Sequence, residues 1–119
     1  MKDLDPIWSI FSAYLLLIFF ILLAGSLSAQ VVVTEFTADW NKKNEVEWLT
    51  NLKNCKISKV DIVKYPKAQK KHGIVIVPTI IIFNNGEEIK RFQADLSFKM
   101  VATRKEVQEE IDNLMKSKF

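Results

Sequence analysis

Residues 73–92 read GIVIVPTIIIFNNGEEIKRF. Within them TIIIF (79–83) is a continuous apolar run, as expected for a strand buried on both faces. NNGE (84–87) follows, and Asn-Gly is the strongest short hairpin signal. EEIKRF then returns as the partner strand. Upstream, Pro66 opens a short helix, PKAQKKH, which Gly73 stops.

Working toward the N-terminus, KISKVDIV (56–63) and VVVTEFTA (31–38) read as two more strands, rich in β-branched residues. Between them Asn44 is placed to cap a helix, with Glu47 in the capping-box position. That helix carries Val46, Trp48, Leu49 and Leu52 as a mostly one-sided stripe. Downstream, Thr103 and Glu106 form a second capping box. The helix after it presents Val107, Ile111, Leu114 and Met115 on one face. The order is β-α-β-α-β-β-α, an α/β class. Strands alternating with helices favour parallel pairing for the first three; the last two form an antiparallel hairpin. There is no internal repeat and no low-complexity segment.

The chain divides at residue 30. Residues 1–30 form an N-terminal segment and 31–119 a single α/β domain, since about 90 residues hold one core but not two. No charged residue lies between Asp5 and Glu35. Residues 7–29 number 23, roughly 35 Å as one apolar helix, enough to cross a bilayer. Trp8 lies where an interfacial aromatic would sit. The competing reading is an exported protein whose signal is cleaved near Ala29, within the small residues of AGSLSAQ. Two features oppose it: MKDLDP is not a basic leader, and the apolar run is long. The preferred reading is a membrane anchor through 7–29 with the domain outside the cytoplasm, on the periplasmic side. Almost no linker separates anchor from domain.

From Gln30 onward there are 16 Lys and Arg against 12 Asp and Glu, a net charge of +4. This mild excess suits anionic headgroups or an acidic partner and does not imply nucleic acid. Lys64, Lys67, Lys70 and Lys71 cluster on or near one helix. Cys55 is the only cysteine and His72 the only histidine. An internal disulfide, a Cys-x-x-Cys couple and the usual Cys/His zinc site are therefore excluded, and no cofactor or metal is expected. Lys56 beside Cys55 is expected to lower its thiol pKa slightly. His72 is expected to act as a favourable cation at its helix C-terminus.

These elements together resemble the thioredoxin family. VVVTEFTADW resembles its first core strand and the run into its active-site turn. Residues 73–92 resemble its cis-proline loop, central strand and hairpin. Pro66 and Pro78 are separated by 11 residues, as in typical members. The resemblance covers about residues 31 to 117. It implies a thioredoxin-like fold, a cis Pro78, and a Val77 backbone that offers hydrogen bonds to an extended peptide. It makes Glu35 the buried carboxylate near the cysteines; the residues suggest Lys59 or water as its partner.

Three departures bear on function. The two family cysteines fall on Asn41 and Asn44, as Asn41-Lys42-Lys43-Asn44. An amide neither attacks a disulfide nor carries electrons, so the disulfide-oxidoreductase cysteines are absent and an enzyme is disfavoured. The stretch from Asn44 to the next strand is about two helical turns short. Gln93 stands where the family has a glycine after the hairpin. The resulting expectation is a redox-inactive, membrane-tethered, protein-binding or scaffold subunit in an envelope complex. Its contact residues would be Trp40, Asn41, Lys42, Lys43, Asn44, Val77, Pro78 and Thr79. The alternatives are a monothiol oxidoreductase using Cys55 and a redox-independent chaperone.

Overall fold

A computed structural model describes residues 30–116. The expected anchor, 7–29, lies outside the described residues. Among those described, no helix is long and apolar enough to cross a membrane.

Four strands form one mixed sheet: β1 (Val31–Thr37), β2 (Lys56–Asp61), β3 (Thr79–Asn84) and β4 (Glu87–Gln93), in the order β2-β1-β3-β4. β1 pairs with β2 in parallel, placing Phe36 opposite Val60. β3 runs antiparallel to β1, with Glu35 opposite Ile80, and β4 antiparallel to β3. Parallel pairing thus holds for the first two strands and not for the third. The helix between β2 and β3 is one short element, α1 (Pro66–His72). The chain leaves β2 and enters β3 at the same end of the sheet, so β3 must run back.

The apolar run of β3 is buried on both faces, as expected: Thr79 through Ile82 are all buried. Val33, Leu49, Ile80, Ile82, Val107 and Ile111 fill one face. Phe36, Ala38, Ile74, Val77 and Ile81 fill the other. The first face is covered by α2 (Arg104–Lys116), which starts at the expected capping box. Glu106 N–H donates to Thr103 Oγ1 at 3.2 Å, and Thr103 N–H donates to Glu106 Oε1 at 3.3 Å. The hairpin turn puts Asn85 and Gly86 at φ 54° and 84°, both in the left-handed region that Asn-Gly favours.

The expected helix from Asn44 is absent. Two short 3-10 segments, Asp39–Asn44 and Glu47–Asn51, take its place. Asn44 caps nothing; its side-chain amide donates to Asn41 Oδ1 at 2.8 Å. The Val46 N–H, a donor that a helix capped at Asn44 would leave orphaned, donates to Glu35 Oε2 at 3.0 Å. A tertiary partner therefore overrides the local capping signal. The 3-10 rise of about 2.0 Å per residue, against about 1.5 Å, also lets a shortened crossover retrace the strand. β2 stops at Asp61 because Asp61 Oδ1 accepts the N–H groups of Val63 and Lys64 and turns the chain.

α1 ends on Gly73 at φ 58°, ψ 46°, with Ile74 N–H reaching back to Gln69 O at 3.0 Å. An added Cβ at Gly73 would meet nothing within 4 Å, so only its backbone conformation resists substitution. Gly73→Ala is expected to cost about 1–2 kcal/mol. Thermal unfolding should show a fall of at least about 4 °C; an unchanged midpoint contradicts the assignment.

Candidate functional site

β1 ends, β3 begins and β4 ends at one edge of the sheet. Three loops therefore converge there: 38–46 after β1, 73–78 before β3, and 94–100 after β4. Val77-Pro78 is cis, as expected.

Asn41 holds the three loops together. It is 3% exposed. Its Nδ2 donates to Val77 O at 3.3 Å and to Phe98 O at 3.1 Å. Its Oδ1 accepts from Asn44 Nδ2. Both amide hydrogens and the oxygen are thus used, and the carbonyl of Val77 is engaged from within the protein. The peptide-docking role expected for that backbone now has a competitor.

Phe98 sits at φ 64°, a conformation that costs a non-glycine residue about 1–2 kcal/mol. Its loop is shaped by Asp95, whose Oδ1 accepts from Ser97 N–H, Ser97 Oγ–H and Lys99 N–H. These bonds hold the Asp95 carboxyl below the usual carboxylate range, the Ser97 side-chain bond foremost. The Phe98 ring meets Trp40 edge to face at 5.1 Å between centroids.

Of the residues expected to make contact, Trp40, Lys42 and Lys43 are exposed and Asn44 is half-buried; Asn41, Val77, Pro78 and Thr79 are buried. Thr79 Oγ1 donates to Ile76 O at 2.6 Å, behind the proline. The exposed tip gains residues that sequence reasoning missed: Val75, Leu96 and Phe98, with Leu96 92% exposed. Asp95 two residues before Ser97 was a turn signal, but nothing in the pattern marked the apolar residues of that turn as outward-facing.

Glu35 is fully buried on β1. Its partner is the Val46 N–H; Lys59 lies near Glu45 instead, at 3.8 Å. Glu35 Oε1 and the neighbouring Thr37 Oγ1 are buried without a hydrogen-bond partner among the described residues. Burial raises the Glu35 pKa above 4.5, against the opposing Val46 hydrogen bond and Lys59 charge.

Cys55 is remote from this edge. It precedes β2, whose first residue pairs with Val32 at the opposite end of β1. It packs against the first core face, and burial raises its thiol pKa. The expected lowering by Lys56 is overturned by desolvation, and a raised pKa means less thiolate.

His72 also departs from expectation. Its ring lies between Phe36 and Phe83, with centroids at 5.2 and 5.3 Å. Desolvation, then Lys71, lowers its pKa, which favours the neutral ring over the expected cation. Arg91 supplies the charge at the α1 C-terminus, donating to His72 O at 2.8 Å while pairing with Glu88 at 2.7 Å. Among the described residues, no group of three His, Cys, Asp or Glu side chains is arranged to hold a metal ion.

A mixed sheet with a cis-proline loop facing the end of its central parallel strand, and a buried carboxylate on that strand, defines a thioredoxin-like α/β domain. The thioredoxin family model matches residues 23–106. The chain belongs to the thioredoxin family. Solved structures of similar fold include a mutant thioredoxin from Halobacterium salinarum, 22% identical, covering 71% of this chain and 74% of that one, TM-score 0.57. A thioredoxin from Schistosoma mansoni is 24% identical over 80% of this chain and 85% of its own, TM-score 0.57. One from Fasciola hepatica is 19% identical over 79% and 89%, TM-score 0.54. No curated protein matches the sequence.

Proposed function

We propose that the chain is a redox-inactive, membrane-tethered member of this family that binds other proteins through its tip, as a subunit of an envelope complex. The observation that carries this reading is the Asn41–Asn44 brace beside the exposed Trp40–Phe98 pair. The positions that would hold sulfur are spent on hydrogen bonds that stiffen the tip. The contact surface is Trp40, Phe98, Leu96 and Val75, edged by Lys42, Lys43 and Lys99. Aromatic anchors among charged neighbours suit a protein interface. With Val77 O engaged, side chains carry the contact more than added backbone pairing.

Tethering is supported by the apolar segment 7–29 and by the lack of slack after it. Gln30 is already bonded to the hairpin: Asn85 N–H donates to Gln30 O at 2.9 Å. The tether then enters at the start of β1 and the tip lies beyond its end, roughly 23 Å away along seven residues. The tip points away from the bilayer, on the extracytoplasmic side in this reading.

The test is purification of the intact protein in mild detergent. A partner should co-purify with the wild type and be lost with Trp40→Ala or Phe98→Ala. Insulin reduction should be absent in wild type and in Cys55→Ser alike. A monomer with no co-purifying protein, or reduction that depends on Cys55, would sink this reading.

A further inference from the structure

α1 has no buried residue; it meets the second core face through Ala68 and the His72 ring. Beside it a groove of about 680 Å³ opens between α1 and the end of β2. Val60, Tyr65, Ala68 and the His72 ring give it an apolar lining. Lys64, Lys67 and Lys71 also line it, and no carboxylate does. Asp61, the nearest acid in sequence, is committed to the turn after β2. Val63 and Tyr65, at the same end, are 61% and 62% exposed. β2 is an edge strand, so one side of its backbone faces no strand among the described residues.

We infer that this groove is a second protein-docking site, separate from the tip, and that it takes an acidic segment with interspersed apolar side chains. Three cations around an apolar floor with no carboxylate in its lining match carboxylates flanking a leucine or aromatic residue. The open edge of β2 suits an extended chain. The choice of a protein over an anionic lipid rests on the tether proposed above. Val60 is aligned with Phe36, five residues beyond Val31, so the groove begins roughly 17 Å from where the tether enters. The groove itself does not depend on that reading.

The test follows the Ala68 methyl and His72 ring by NMR in the full-length protein in detergent micelles. The probe is a capped peptide of alternating glutamate and leucine. Expected are shifts at both residues, and affinity weakened about tenfold by Lys64→Glu, Lys67→Glu and Lys71→Glu together. The triple serine variant at the same positions should show the same direction if the glutamates disturb α1. Trp40→Ala should leave this binding intact, which separates it from the tip. Equal binding of a lysine–leucine or a glutamate–serine peptide overturns the inference, as do shifts centred on Trp40 and Phe98. Vesicles with 30% phosphatidylserine that produce the same lysine-dependent shifts would assign the groove to lipid, and concentration-dependent shifts without peptide would assign it to a second copy.

Discussion

Asn41→Ala should destabilise the domain by about 2–4 kcal/mol, a large effect for removing one small polar side chain. The substitution deletes donors to Val77 O and Phe98 O and the acceptor for Asn44 Nδ2. An unsatisfied buried group costs about 1–3 kcal/mol. Val77 is 2% exposed and its carbonyl is poorly placed to find water, whereas Phe98 is 39% exposed and its carbonyl can be rehydrated. The total is therefore less than three full penalties. The left-handed Phe98 also loses one of its restraints, so the 94–100 loop should relax and the Trp40–Phe98 contact loosen. Urea titration monitored by circular dichroism gives the stability change. A difference below about 0.5 kcal/mol would show that the amide is not a brace. Asn41→Cys is the informative companion. A thiol is a single weak donor and cannot span two carbonyls, so restoring the family's atom should cost nearly as much as alanine.

The hairpin, the central buried strand, the C-terminal capping box and the glycine stop of α1 were legible because each is written in contiguous residues. Asn85-Gly86 needs no distant partner to turn, and Thr103 finds Glu106 within one helical turn. The 39–51 region was not legible in this way. Asn44 and Glu47 spell a local cap, but Glu35 on β1 reaches the Val46 N–H from eleven residues away and Asn41 takes the Asn44 amide. Tertiary bonds outrank a capping preference of about 1 kcal/mol. The direction of β3 was hidden for a similar reason. Alternation of strand and helix favours parallel pairing, but a seven-residue helix and its return loop give no net displacement along the sheet. The family pattern pointed to Trp40 through Asn44 and Val77 through Thr79 as candidate site residues, and both stretches lie at the same end of the sheet. Their division into a buried brace and an exposed tip depends on packing. So does the addition of Leu96 and Phe98, which come from a turn with no periodicity to read.

Glu35→Gln should remove a pH-dependent loss of stability that the wild type shows as pH rises. Burial raises the folded-state pKa of Glu35 above 4.5. The folded protein therefore binds this proton more tightly than the unfolded chain does. Stability from that proton is fully present below about pH 4.5 and declines as pH rises through the folded value, because ionisation then places a charge in a fully buried position. Among the described residues one carboxyl oxygen has a partner, the Val46 N–H, and the other has none. Glutamine keeps an oxygen for Val46 and cannot ionise. Its amide leaves donors where Oε1 was, so the variant should be less stable than wild type at acid pH, where Glu35 is neutral. It should gain relative to wild type as pH rises, and the two curves of denaturation midpoint against pH should converge or cross. Glu35→Ala separates charge from bonding: it also abolishes the slope but strands the Val46 N–H, lowering stability at every pH. Parallel curves for wild type and Glu35→Gln across the range would show that Glu35 is ionised in the folded protein as readily as in the unfolded chain. The pH slope therefore reports the cost of holding a buried acid beside the loop that Asn41 and Asn44 brace.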